Sequence, residues 1–183
     1  RDRLVSATDF ETITVRTPGV DIGRVEVIPA FNPELAPSEP GDAPGAVTLL
    51  IIPRYDTRQL DAPMPDRLML DTICRYLDGR RLVTTEVFLR GPVYKPIWIW
   101  MGINVVTGAT ISIAEVREAV KTALLQFLAP VNAAQAGVLD NQAVLLTTPQ
   151  YASMRKGWPL RKPVTDRELL AVASRQEGVL LVN

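Results

Sequence analysis

The stretch Ala46-Val47-Thr48-Leu49-Leu50-Ile51-Ile52, at residues 46–52, is apolar at nearly every position. In a strand, Val47, Leu49 and Ile51 face one side, whereas Leu50 and Ile52 face the other. A strand that is apolar on both faces is usually central in its sheet and covered on both sides. The sequence therefore predicts a sheet with this strand at its centre.

The segment before this strand predicts one helix and one strand. Thr8 and Glu11 have the spacing of a capping box, which predicts a short helix to about Arg16. Val20–Ile28 then reads as a strand with a bulge at Gly23. In that strand we expect two valines to point inward and two charged residues to point outward: Val25, Val27, Arg24 and Glu26. The four prolines that follow predict a loop at residues 30–45.

The segment after the central strand predicts a second helix and a third strand. Pro65 suits the first turn of a helix, and Gly79 suits its C-terminal end. Between them, four residues at helical spacing predict the buried face: Leu70, Ile73, Cys74 and Leu77. Leu82–Leu89 is rich in β-forming residues, and Gly91-Pro92 breaks this strand.

Residues 93–105 alternate strictly, which predicts one long strand. One face of it carries Ile97, Ile99, Met101, Ile103 and Val105, and the other carries Trp98, Trp100, Gly102 and Asn104. Lys95-Pro96 indicates that the strand begins at an edge or a bulge, because proline cannot donate to a ladder. Core packing is the default prediction for Trp98 and Trp100, and an interface anchor is the alternative.

A third helix is predicted after this strand. Ser112 and Glu115 form a capping box, and Pro130 ends the helix. Its apolar face consists of Ile113, Val116, Val120, Leu124, Phe127 and Leu128.

The C-terminal part begins with an irregular insertion at about 131–164, in which Ala143–Leu146 could form a short strand. Thr165 and Glu168 form a third capping-box pattern, which predicts a helix to about Arg175. Val179–Val182 then predicts a last strand.

Together these elements predict an α+β fold of two small sheet-and-helix subdomains. Their order is α-β-β-α-β and then β-α-loop-α-β. We expect the first subdomain at residues 1–90 and the second at residues 91–183, with the joint near Arg90-Gly91-Pro92.

The composition excludes several familiar chemistries within this chain. It has one cysteine, Cys74, and no histidine, which rules out an internal disulfide, Ser-His-Asp or Cys-His catalysis, and zinc sites built on histidine or several cysteines. Phosphate-loop and dinucleotide fingerprints are absent from the sequence. We therefore expect no catalytic, cofactor-binding or metal-binding residues. The net charge is zero, and no apolar run reaches the roughly 18 residues that span a bilayer, so neither nucleic acid nor a membrane span is expected.

Charged clusters have competing interpretations. Asp56, Asp61 and Asp66 could meet in space, although a solvated rim is the simpler interpretation. Four arginines lie near the end of the second helix, where they could complement the helix dipole or form a protein interface: Arg75, Arg80, Arg81 and Arg90. Trp158 follows Gly157 and should pack into a core or against a neighbour.

An ordered series of motifs resembles the baseplate J-like family of contractile phage tails and contractile injection systems. The stretch Arg80–Tyr94, which reads RRLVTTEVFLRGPVY, is similar to the signature of that family. Further similarities follow in order at the start of the chain, at the end of the third helix and near the C-terminus: Val5–Glu11, Pro18-Gly19-Val20, Leu128-Ala129-Pro130, Gly157-Trp158-Pro159 and Gly178-Val179.

The resemblance implies a structural protein, of which this chain corresponds to a C-terminal portion. Family members form the wedges of a sixfold baseplate around the tail tube hub, so the implied partners are other wedge proteins and copies of the chain itself. No catalytic residue, cofactor or small-molecule substrate is implied. The implied location is the bacterial cytoplasm during assembly, and then the baseplate of a phage virion or an injection particle.

The candidate interface residues are Arg81, Arg90, Tyr94, Trp98, Trp100 and Trp158. The loop 30–45, the insertion at 133–156 and the region Arg81–Tyr94 are candidate contact regions as well. A small-molecule-binding or regulatory α+β domain is the alternative function, and it would need a concave pocket with convergent polar groups. An enzyme that uses carboxylates alone is a third, weaker alternative.

Overall fold

The computed structural model describes residues 3–35, 43–59, 61–106, 112–131 and 157–182. The chain divides into two compact units, Arg1–Tyr94 and Lys95–Asn183. In each unit helices accompany a small sheet, which confirms the α+β class, and the elements follow the predicted order. The predicted strand at Ala143–Leu146 lies outside the described residues, as do most of the insertion and part of the loop 30–45.

As far as the structure describes it, the first unit contains a three-stranded sheet and two helices. Its elements are α1 (Ala7–Val15), β1 (Ile22–Pro29), β2 (Ala46–Pro53), α2 (Arg67–Asp78) and β3 (Glu86–Arg90). The strand order is β1-β2-β3, with β1 antiparallel and β3 parallel to β2. The predicted central position of the apolar strand is therefore confirmed. The helix α2 makes the crossover that a parallel pair needs.

Both faces of β2 are covered, as its sequence predicted. On one face, buried residues of the three strands pack against both helices in a core that contains Phe10, Ile13, Leu49, Ile51, Ile73 and Leu77. On the other face, the Thr48 hydroxyl donates to the Phe31 carbonyl at 2.6 Å, so the chain that follows β1 covers this side. Both side chains are buried there.

Two details of β1 and α1 differ from the prediction, and one is confirmed. The bulge at Gly23 is present, since the register shifts between Ile22 and Arg24. Arg24 was expected to point to solvent, but it is only 6% exposed, and its Nε donates to Glu26 at 2.7 Å. The predicted cap of α1 was also wrong, because Ser6 and Asp9 form the capping box, one half-turn before Thr8.

Helix α2 and strand β3 also depart from the predicted boundaries. Asp66 caps α2 by accepting from the Met69 amide, so Pro65 precedes the helix and does not lie in its first turn. Cys74 is exposed and does not belong to the buried face. Leu82 accepts from the Thr85 amide in a turn, and for this reason β3 begins only at Glu86.

In its described residues, the second unit contains a two-stranded antiparallel sheet and two helices. Its elements are β4 (Ile103–Val105), α3 (Ile113–Leu128), α4 (Asp166–Ala173) and β5 (Val179–Val182). Its core is formed by buried residues of the two helices: Val116, Val120, Leu124, Leu169 and Ala173. The capping box of Ser112 and Glu115 is confirmed, whereas Ile113 is 74% exposed and does not join the predicted apolar face.

Helix α4 is shorter than predicted and is capped differently. Thr165 is its N-cap residue, but the side chain makes no cap hydrogen bond to the helix backbone. Instead the Thr165 hydroxyl donates to Glu168, which also accepts from Lys162 at 2.6 Å. Within the described ranges of the chain, no helix is both long enough and apolar enough to cross a membrane.

Candidate protein-docking surface

The tryptophan segment (residues 95–102) belongs to no helix, strand or turn. The prediction of one strand over residues 93–105 is therefore wrong except for its last three residues, β4. The physical reason is the lack of a partner, because alternation favours an extended chain but a strand also needs a neighbouring backbone. Among the described residues, no hydrogen bond joins the backbone of this segment to another part of the chain.

The two tryptophans of this segment are almost fully exposed. Trp98 is 81% exposed and Trp100 is 94% exposed, so the default prediction that they pack in the core is wrong. Large apolar side chains seldom lie bare on a protein surface as neighbours, and such patches mark interaction sites. Tryptophan is also enriched among the residues that dominate binding energy at protein interfaces.

The continuation of this segment into β4 has one covered side and one open side. Met101, Ile103 and Val105 pack against the core of the second unit. Gly102 and Asn104, which alternate with them, are exposed. On β5, Leu181 pairs with Asn104 and is 51% exposed, so the open side of this small sheet includes one apolar side chain.

Pro96 favours an extended backbone at the start of the segment. Its ring removes one backbone donor and restricts Lys95, the residue before it, to extended conformations. An extended backbone with unpaired amides and carbonyls can accept a strand from another chain by β-augmentation. The segment therefore combines two features of a docking site, bare backbone groups and exposed aromatic anchors.

The predicted interface arginines are engaged within the first unit. Arg81 binds Asp78 at 2.8 Å and donates to the Thr85 carbonyl at 3.0 Å. Arg90 binds Glu34 at 3.2 Å. Exposed ion pairs of this kind contribute little to stability, so they do not prevent either side chain from meeting a partner.

The other two arginines of the cluster, Arg75 and Arg80, contact residues of α2. Arg80 donates to the Tyr76 carbonyl in the last turn of the helix, and its guanidinium lies 3.8 Å from the centre of the Tyr76 ring. Arg75 forms an ion pair with Asp71, one turn away on the same helix. Among the alternatives for this cluster, the contacts favour stabilisation of the helix end.

Tyr94 ties the end of the first unit to the loop before α2. Its hydroxyl donates to the Pro63 carbonyl at 2.9 Å. Burial raises the pKa of Tyr94 to about 12, although the nearby Arg24 charge opposes this shift.

In the loop before α2, Asp56 accepts from the amides of Arg58 and Met64, and these bonds lower the pKa of its carboxyl group. Tyr94 and Asp56 therefore both organise the unit in which they lie.

Trp158 is held inside the second unit. Its ring meets Phe127 edge to face, with 5.2 Å between ring centres, and its Nε1 donates to the Lys162 carbonyl at 3.2 Å. The Lys162 ammonium lies 4.4 Å from the centre of the indole ring. Of the two predicted roles for Trp158, packing into a core is the one that these contacts support.

Of the six predicted residues, the structure brings only Trp98 and Trp100 together as neighbours on a bare segment. Val83 and Val93 lie in the predicted contact region Arg81–Tyr94 but were not named individually, and they are 98% and 97% exposed in the first unit. Their surroundings account for this exposure, because Val83 lies in the turn that the Thr85 amide closes on the Leu82 carbonyl, and Val93 follows Gly91-Pro92.

The described residues offer little to bind metals or small molecules. No group of three or more acidic or cysteine side chains in these ranges could hold a metal ion. A concavity of about 560 Å³ lies between α2 and β3, and its lining includes Cys74, Asp78, Arg81 and Phe88. Asp78 and Arg81 bind each other, and so they do not converge on this space as the polar groups of a ligand pocket would.

No protein-family model matches this chain, and neither does any curated protein sequence.

Proposed function

We propose that this chain is a structural component of a contractile-tail baseplate wedge and not an enzyme. In this role it holds neighbouring wedges around the tube hub of a phage or an injection particle. It is assembled in the bacterial cytoplasm, and its partners are other wedge proteins and further copies of itself. The assignment to a baseplate is supported by the ordered series of motifs, centred on Arg80–Tyr94, that resembles the baseplate J-like family.

The docking role is supported above all by the exposure of the two tryptophans in the tryptophan segment. Trp98 and Trp100 are 81% and 94% exposed on a backbone that has no strand partner among the described residues. A monomeric domain gains nothing from leaving such residues in water, because burying each one is worth about 2–3 kcal/mol. A component whose surface becomes buried during assembly has this arrangement.

Genetic complementation in the native host tests this proposal. We expect deletion of the gene to abolish sheathed particles, and the wild-type gene to restore them. The Trp98→Ala/Trp100→Ala double variant should restore at least about tenfold fewer particles, since hot-spot residues dominate assembly energy. Leu68→Ala is the control, because Leu68 is 73% exposed but lies in the first unit and outside the contact region Arg81–Tyr94, and it should behave as wild type.

Electron microscopy of purified particles provides the count. An unchanged number of sheathed particles after deletion would contradict the wedge role. Wild-type complementation by the double variant would leave the wedge role intact and contradict the docking role of the two tryptophans. Circular dichroism of the purified variants ensures that a loss of particles does not reflect a loss of folding.

A further inference from the structure

We propose that the tryptophan segment pairs, as an antiparallel strand, with the same segment of a second copy of this chain. The inference rests on the proposed docking role and names one partner for that surface. Four observations support it. They are the unpaired backbone of the segment, the order of its side chains, the lack of charged residues in it and the area that pairing would bury.

The backbone of the segment continues an existing ladder. Residues 103–105 pair with β5, while residues 95–102 run on without a partner among the described residues. The sheet has the order β4-β5, so the other edge of β4 is free along its length within the described part of the chain. An added strand would therefore extend a sheet that already exists, without the cost of ordering a new one.

The side-chain pattern is close to a palindrome, which suits a twofold axis. The segment reads Ile97-Trp98-Ile99-Trp100-Met101. If two copies run antiparallel with Ile99 opposite Ile99, then Trp98 lies opposite Trp100, and Ile97 lies opposite Met101. Each of these pairs occurs twice, as a contact between identical surfaces requires. Aromatic pairs that face each other across strands stabilise such pairing.

Other registers form fewer tryptophan pairs across the strands. With Trp100 on the axis, Trp100 would lie opposite itself, but Trp98 would lie opposite Gly102. With Met101 on the axis, Trp98 would lie opposite Asn104, and Trp100 would lie opposite Gly102. Neither tryptophan would then have an aromatic partner across the strands. The sequence therefore favours the register with Ile99 on the axis.

The charge distribution permits two copies to meet here. No charged residue lies between Lys95 and Glu115, and the whole chain has no net charge. Proteins that avoid edge pairing usually place charged side chains on the exposed strand. With Ile99 on the axis, Lys95 lies opposite Ile103, so the two lysines do not oppose each other.

The area that would be buried suits a reversible dimer. A fully buried tryptophan contributes roughly 200 Å². Because pairing at a sheet edge leaves one side of each indole ring in water, the four tryptophans of two copies would supply at most roughly 800 Å². The isoleucines would add to this, and the contact stays below the roughly 1,200 Å² at which specific interfaces begin. We therefore expect a dimer that dissociates on dilution.

Cysteine cross-linking of the full chain tests the register. Cys74→Ser removes the single native thiol, and one cysteine is then introduced by Ile99→Cys, Trp98→Cys, Met101→Cys or Val83→Cys. On mild oxidation, Ile99→Cys should form a disulfide-linked dimer at least about tenfold faster than Val83→Cys, because pairing raises the effective thiol concentration. Fastest cross-linking of Trp98→Cys would indicate packing between sheet faces and would overturn the proposal.

Analytical ultracentrifugation of the unmodified chain gives an independent readout. We expect a monomer–dimer equilibrium that the Trp98→Ala/Trp100→Ala variant shifts to monomer. Equal cross-linking of Ile99→Cys and Val83→Cys would overturn the pairing, as would a wild-type chain that stays monomeric. Neither result would contradict the wedge role, because that role is tested separately by the count of sheathed particles. These substitutions lie at exposed or half-exposed positions, and circular dichroism checks that each variant folds.

Discussion

At the scale of single residues, the three tryptophans show how little a residue type alone reveals. Trp158 finds an acceptor for its indole N–H and an aromatic neighbour, and it is packed inside the second unit. Trp98 and Trp100 have neither kind of contact among the described residues. Alternation predicted that these two share one face of a strand, but it could not predict whether anything covers them.

Glycine at position 157 is required by its surroundings. Its φ is +101°, and a Cβ atom there would lie 2.2 Å from the Pro130 carbonyl oxygen. Gly157→Ala should therefore destabilise the second unit by at least about 2 kcal/mol. All three tryptophans lie in that unit, so urea unfolding followed by tryptophan fluorescence measures the change.

Gly79→Ala is the matched control for this prediction. Gly79 has helical backbone angles, and a Cβ atom there would meet nothing within 4 Å. It also lies in the first unit, so the tryptophan transition should not move. A Gly157→Ala variant whose transition coincides with that of the wild type would show that the contact with Pro130 does not constrain the fold.

At the scale of elements, the sequence predicted what depends on local and periodic patterns. The apolar stretch at 46–52 identified the central strand, and Ser112 with Glu115 identified the start of α3. The start of α1 was missed because Ser6 with Asp9 and Thr8 with Glu11 both fit the capping pattern. Only the tertiary contacts, which bury Phe10 in the core of the first unit, distinguish them.

The strand predicted over residues 93–105 failed for a different reason. Period-two alternation reports which side chains share a face, but a strand exists only where another backbone lies alongside. β5 supplies that backbone for Ile103–Val105 alone. The candidate site lies in the remaining residues. They have the alternating pattern of a strand but no neighbouring backbone among the described residues, and this combination identifies the site.

The two ends of the insertion are held together by α3 and Trp158. The Trp158 amide donates to the Ala129 carbonyl at 2.8 Å, and Gly157 lies against Pro130. Because a short connection can join ends that already touch, residues 132–156 should be replaceable by a glycine-serine linker of about four to six residues. Hydrogen exchange of the α3 and α4 amides should then remain as slow as in the wild type.

The same variant tests the predicted contact role of residues 133–156. If these residues contact a partner, the shortened chain should fold normally but assemble into fewer particles than the wild type. Rapid exchange throughout α3 and α4 would instead show that the second unit needs these residues in order to fold.

At the scale of the whole molecule, composition and structure restrict the function in different ways. The absence of histidine and the single cysteine exclude several catalytic mechanisms from this chain. The structure adds two exposed tryptophans on a unit whose buried core residues come from α3 and α4. Physical reasoning from these features leads to a docking role, whereas the baseplate assignment rests on the series of motifs around Arg80–Tyr94.

Oxidative footprinting of purified sheathed particles tests the central claim most directly, since it asks whether the tryptophan segment is buried in the assembly. The reference is the isolated chain at a concentration at which it is monomeric, and Trp158, which is half-buried in the free chain, is the internal control. We predict that oxidation of Trp98 and Trp100 falls at least about fivefold in the particle, because interface anchors are shielded from water, while oxidation of Trp158 stays the same. Absence of the chain from the particles, or equal oxidation of Trp98 and Trp100 in both samples, would contradict the account.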